Sequence, residues 1–161
     1  MAEFLALIPI AELKKNDSFE KGQPLPLHCT LMHWFELSPN LTLIGLQDEM
    51  QFLARNTQNP LRLVSQAPAL FGPDNDVPVH VLAHNNSLIG LHQKLLQLLV
   101  KRQCALKVRQ WVGQGYCPHA ANAGGDMFLP GRVFEATRLA LLKRGSDGRR
   151  RVQSVFPLGF E

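Results

Sequence analysis

The chain has 161 residues, 45% of them apolar and 19% charged, which is the length of one domain and the composition of an ordinary soluble globular protein, and excludes disordered and fibrous readings. Its net charge of +4 favours an anionic partner without the charge density of a dedicated duplex binder, and five of its 17 Lys and Arg residues are Lys143, Arg144, Arg149, Arg150 and Arg151. Cys29, Cys104 and Cys117 form no CxxC pair, which argues against a disulfide framework and fits a reducing cytosol, while the apolar run Phe4 to Ile10 is too short for a membrane span and lacks the flanks of a signal peptide.

Phe4 to Ile10 reads as a buried first strand, and Lys14 to Gly22 as a polar loop. Leu25 to Leu37 is a long apolar strand that ends at Ser38-Pro39-Asn40. From Leu41 the apolar residues Leu43, Leu46, Met50 and Leu53 recur at helical steps, with Asn40 as the expected cap. Leu61 to Phe71 and Val77 to Ala83 read as two strands divided by the turn segment Gly72 to Asp76.

Asn86 or Ser87 is expected to cap a second helix carrying Leu88, Leu91, Leu95 and Leu98, with Lys101 and Arg102 suited to its C-terminal dipole. Three apolar segments close the chain, 108–123, 132–142 and 151–160, the last two joined by the hairpin signal Gly145-Ser146-Asp147-Gly148. The order ββαββαβββ predicts an α+β fold: a single bilobal domain over 1–161, with two halves of antiparallel strands each backed by a helix.

Alternation along a strand puts His28 and Thr30 on one face and Cys29 and Leu31 on the other. An imidazole beside a hydroxyl suits phosphodiester chemistry, because the imidazole moves a proton near neutral pH and the hydroxyl donates to a phosphoryl oxygen. His119, in the segment after the second helix, is the candidate partner: two histidines on equivalent strands of two halves face one another across a cleft as base and acid. Trp34 shares the strand face of His28 and is a candidate stacking surface for a nucleobase. His80 and His84 fall on a strand rather than a helix face and read as structural or exposed, and Cys117 and His119 lack the paired spacing of a zinc site. No Walker loop, GxGxxG, GxSxG or HExxH occurs.

The motif Leu27-His28-Cys29-Thr30-Leu31, with Cys117-Pro118-His119-Ala120-Ala121 in the second half, resembles the paired strand-borne His-x-Thr/Ser triplets of the 2H phosphoesterases, which include bacterial 2′-5′ RNA ligase-like proteins and RNA cyclic phosphodiesterases. The likeness runs over nearly the whole chain and departs from the pattern at Ala121, where a Thr or Ser is expected. It implies hydrolysis or transfer at a 2′,3′-cyclic, 2′-5′ or cyclic-nucleotide phosphodiester, without metal or other cofactor, with His28, Thr30 and His119 as catalytic residues. It also implies a cation after the second motif. Asn122 to Asp126 offers none, which leaves Arg138 on the following strand as the substitute phosphate contact. The expected partner is a small nucleotide or RNA end, met by a monomer, with a weak further RNA contact through the Lys143 to Arg151 hairpin and no membrane role.

Overall fold

The computed structural model describes residues 2–121 and 131–159. Its strands are β1 (Glu3–Pro9), β2 (Ser18–Phe19), β3 (His28–Glu36), β4 (Leu61–Phe71), β5 (Val77–Leu82), β6 (Ala105–Leu106), β7 (His119–Ala121), β8 (Val133–Ala136), β9 (Arg138–Arg144) and β10 (Arg150–Pro157). Helix α1 (Leu43–Arg55) lies between β3 and β4, and α2 (Asn86–Lys101) between β5 and β6. The strands follow the order β2-β10-β9-β1-β3-β7-β5-β4-β8, with β6 added to the end of β3, and among the described residues their pairings are antiparallel. The mixed, antiparallel architecture expected from the element order is therefore the one observed. The last two strands return to the first half, β9 pairing with β1.

Both helices cover one face. Leu46, Met50 and Ala54 of α1 and Leu88, Leu91, Leu95 and Leu99 of α2 are buried in the larger core with Phe4, Ile8, Cys29, Leu31 and Phe35. The α2 stripe thus runs through Leu99, and Leu98 is only partly buried. The caps also differ from expectation by a residue or two. Thr42 Oγ1 accepts the Gly45 N–H at 3.0 Å, whereas Asn40 hydrogen-bonds Gln103, and Asn85 Oδ1 accepts the Leu88 N–H at 3.0 Å. A smaller core of Leu5, Leu7, Leu13, Phe19, Ala140, Leu142 and Val152 fills the opposite face, under the loop that follows β1.

Segment 108–123 is not one strand. Two single 3₁₀ turns, Arg109–Trp111 and Gly113–Gly115, precede the three-residue β7. β3 is irregular as well: it carries an extra residue relative to β1 between the Leu7–Thr30 and Ala6–Met32 pairs, and another between Ala6–Met32 and Phe4–Phe35. Met32 consequently joins the helix-side core, while Trp34 joins the cluster of Leu5 and Leu7 on the other face.

Leu95 has no solvent exposure. Leu95→Ala is expected to lower the unfolding free energy by about 2–5 kcal/mol, and loss of the Asn85 cap in Asn85→Ala by about 1 kcal/mol. Urea denaturation checks both, and a Leu95→Ala cost under about 1 kcal/mol would contradict this packing.

Candidate active site

The site is built where β3 and β7 meet. Cys29 pairs with Ala120, and both are buried in the helix-side core. Counting one residue each way along the antiparallel ladder sets Thr30 across from His119, and Ala121 across from His28. Directly opposite residues have Cβ atoms about 4.5–5.5 Å apart, and diagonal ones such as His28 and His119 about 7–8 Å. The two motifs thus sit around a local two-fold centred on Cys29 and Ala120. Thr30 pairs on its other side with Leu7 of the smaller core, which fixes the face that His28 and Thr30 share.

Each histidine is tethered in the same way. Nδ1–H of His28 donates to the Pro26 carbonyl at 2.7 Å, and Nδ1–H of His119 to the Cys117 carbonyl at 2.8 Å. In both, a carbonyl two residues back selects the Nδ1–H tautomer and leaves the Nε2 lone pair to act. Burial holds both imidazoles below the usual histidine range; for His28 the positive charges of His119 and Arg150 add to that effect, while the Pro26 carbonyl opposes it. Burial also pushes the Cys29 thiol up to about 12, which removes it as a nucleophile.

Several residues outside the predicted catalytic set surround this centre. His33, admitted by the second irregularity of β3, lies 6.5 Å from the His119 ring, and burial followed by the charges of His119 and His28 brings it down to about 4. Phe71 at the end of β4 meets His119 edge-on at 4.6 Å and stacks on Trp111 at 5.2 Å. An aromatic wall therefore stands on the His119 side. Behind β3, Tyr116 donates its hydroxyl to the Thr30 carbonyl at 2.9 Å, and its ring stacks on His92 at 3.9 Å. His92 donates Nδ1–H to the Leu31 carbonyl at 2.7 Å and accepts the Gly113 N–H at Nε2 at 3.0 Å. These bonds hold the backbone just where β3 departs from regular pairing. Tyr116, the chain's one tyrosine, was the available signal.

Trp34 carries the Arg144 guanidinium 4.1 Å over its ring. Arg138 lines a separate cavity with Pro9, Glu12 and Glu135, and none of His28, Thr30 and His119 lines that cavity. The backbone of Ala121 ends β7 opposite Val79, and the stretch Asn122 to Asp126 lies outside the described residues. His80 is buried across from Ala120, and His84 is exposed and bonded to Asn86. The three cysteines are free, no group of His, Cys, Asp or Glu among the described residues stands ready to hold a metal ion, and no described helix is long and apolar enough to cross a membrane.

No family model matches the chain, and no curated protein matches it in sequence. Solved structures match its fold end to end. A crystal structure titled phosphoesterase superposes with a TM-score of 0.60 at 16% identity, over 99% of this chain and all of that one. Escherichia coli LigT complexed with NADP+ gives 0.57 at 17% identity, and LigT complexed with 3′-AMP gives 0.55 at 15%, each over 98% of both chains. At such identities the likeness is one of fold.

Four imidazoles, those of His28, His33, His92 and His119, resist protonation in the folded chain. The unfolded chain binds those protons from about pH 6.5 downward, so their stability contribution is complete above that value and is lost as pH falls toward the folded-state values. The melting temperature is expected to drop between pH 7.5 and pH 5.5, and calorimetry showing it flat would contradict the burial of these rings.

Proposed function

We propose that the chain is a metal-independent phosphodiesterase of the 2H phosphoesterase kind, acting on 2′,3′-cyclic or 2′-5′ phosphodiesters of RNA ends, short oligonucleotides or cyclic nucleotides. The observation that carries this reading is the pairing of Cys29 with Ala120, around which His28 and His119 share a face with each Nδ1 tied to a carbonyl. The fold shared with a phosphoesterase and with LigT, which binds 3′-AMP, supports it.

In the proposed hydrolysis one imidazole takes a proton at Nε2 from water as the water oxygen bonds to phosphorus. The other, protonated, gives its Nε2 proton to the ester oxygen as the P–O bond breaks. Each well-placed group contributes about 10²–10⁴ in rate. The Thr30 hydroxyl donates to a non-bridging oxygen. Which imidazole is base follows from the side on which the ester oxygen leaves. Phe71 and Trp111 supply a stacking surface for a base on the His119 side, a contact worth about 1–3 kcal/mol. Trp34 flanks the other end of β3.

Ala121 favours a second reading, a nucleotide-binding module with weakened catalysis, because the second motif carries no hydroxyl where a Thr or Ser is expected. Losing one such donor costs about 10²–10³ in rate.

Turnover of 2′,3′-cyclic mononucleotides and 2′-5′ dinucleotides in EDTA is expected for the wild type and is expected to vanish in the His28→Ala/His119→Ala variant. Ala121→Thr should raise it by up to about 10²-fold. Because both imidazoles titrate below the ordinary value of about 6.5, kcat/KM should follow a bell with its optimum below pH 6.5. Equal turnover in wild type and double variant would sink the catalytic assignment; saturable binding without product would select the binding module.

A further inference from the structure

The basic hairpin of β9 and β10 divides its charge between two faces. Arg144 pairs with Arg150, and Lys143 with Arg151, so like charges stand directly opposite at two consecutive rungs. Such pairs are destabilising unless an anion lies between them. Arg144 is two residues on from Leu142, which pairs with Leu5 in the smaller core, and so belongs to the face of Thr30 and His28. Lys143 and Arg151 line a different hollow with Arg149 and Asp147.

On the His28 face, Arg144 and Arg150 line a cavity of about 390 Å³ with Lys21, Ser146 and Glu3. Its cations are held in place. Arg144 is bonded to Glu3 and sits over the Trp34 ring. Arg150 donates to the Glu20 and Gln23 carbonyls, and its buried Nε–H has no acceptor among the described residues. The stem of Lys21 lies on Gly148, where an added Cβ would come within 2.9 Å of Lys21 Cγ and Cδ and the backbone φ is +80°. Glu3 offsets Arg144, whereas neither Lys21 nor Arg150 has a carboxylate within ion-pair distance among the described residues. The cavity therefore holds an uncompensated positive charge of two. Burial and the Arg144 charge both ease proton loss from Arg150, as expected of a cation without a counter-ion.

We infer that this cavity is a phosphate subsite for a single-stranded oligonucleotide, receiving a phosphate distal to the one held between His28 and His119. The inference rests on the phosphodiesterase reading above and narrows it to substrates longer than a mononucleotide. His28, Thr30 and His119 do not line the cavity, so a mononucleotide bound between the histidines leaves it unfilled. Trp34 shares that face and touches Arg144 of the cavity, and the Arg150 charge is felt at His28.

The test compares a 2′,3′-cyclic mononucleotide with a six-nucleotide RNA ending in the same cyclic phosphate, in wild type, Lys21→Glu, Arg150→Lys and, as a control on the opposite face, Lys143→Glu. Lys21→Glu should cut the preference for the hexamer, as a ratio of kcat/KM values, by about tenfold and flatten its salt dependence. Arg150→Lys, which keeps the charge and loses the fork, should fall between. Lys143→Glu should leave the preference intact. A preference unchanged in Lys21→Glu, or lost equally in Lys143→Glu, overturns the subsite while the catalytic reading stands. If the wild type cleaves neither substrate, the catalytic reading fails, and anisotropy of a labelled hexamer with a 3′-phosphate decides the subsite: weaker binding in Lys21→Glu alone retains it, and equal binding in all variants overturns it.

Discussion

The contact on which the site depends is the meeting of β3 and β7 at Cys29 and Ala120. Each side chain points into the helix-side core, and both are small or slender enough to be fully buried there. Their neighbours are thereby turned to the other face, His28 and Thr30 from one strand and His119 from the other. A one-residue slip of either strand would exchange the faces, sending imidazoles into the leucine core and Cys29 or Ala120 to the surface. The cost of burying an unmatched imidazole makes that register strongly specified.

Around this pair, the remaining structure fixes direction and charge. The Pro26 and Cys117 carbonyls choose the tautomer of His28 and His119. The His92–Tyr116 stack anchors the carbonyls of Leu31 and Thr30 where β3 carries its extra residues. The irregularities do more than bend the strand: they remove Met32 from the His28 face and bring His33 beside His119. The same face continues across Trp34 to the Arg144–Arg150 rung, so aromatic and cationic surfaces flank the histidines on opposite sides. The proposed chemistry needs this division, because a base stacks on rings while its phosphates need fixed positive charge.

Much of this was legible in the sequence, and the exceptions have physical reasons. Period-two alternation located His28, Thr30 and Cys29 correctly, since those residues precede the first irregularity. Leucine spacing found both helices, although caps slipped by a residue or two because Asn40, Thr42, Asn85 and Asn86 are all chemically able to cap. The run 108–123 misled, because apolar residues there serve 3₁₀ turns that carry Trp111 to His119 rather than a strand. Phe71 reaches the site, and Arg150 the separate cavity on the same face, through long-range pairing that local patterning does not encode. Arg138 was chosen by its nearness in sequence to the second motif, yet it lines a cavity of its own.

The central claim is that His28 and His119 form one coupled pair poised through Nε2. The most direct measurement is an NMR titration of the imidazole nitrogens of both residues, with and without inorganic phosphate. The account predicts the Nδ1–H tautomer for both at neutral pH, titration of both below the ordinary histidine range with each sensing the other, and a joint response to a single phosphate. Opposite tautomers, independent titrations at ordinary values, or a phosphate response at only one ring would contradict it.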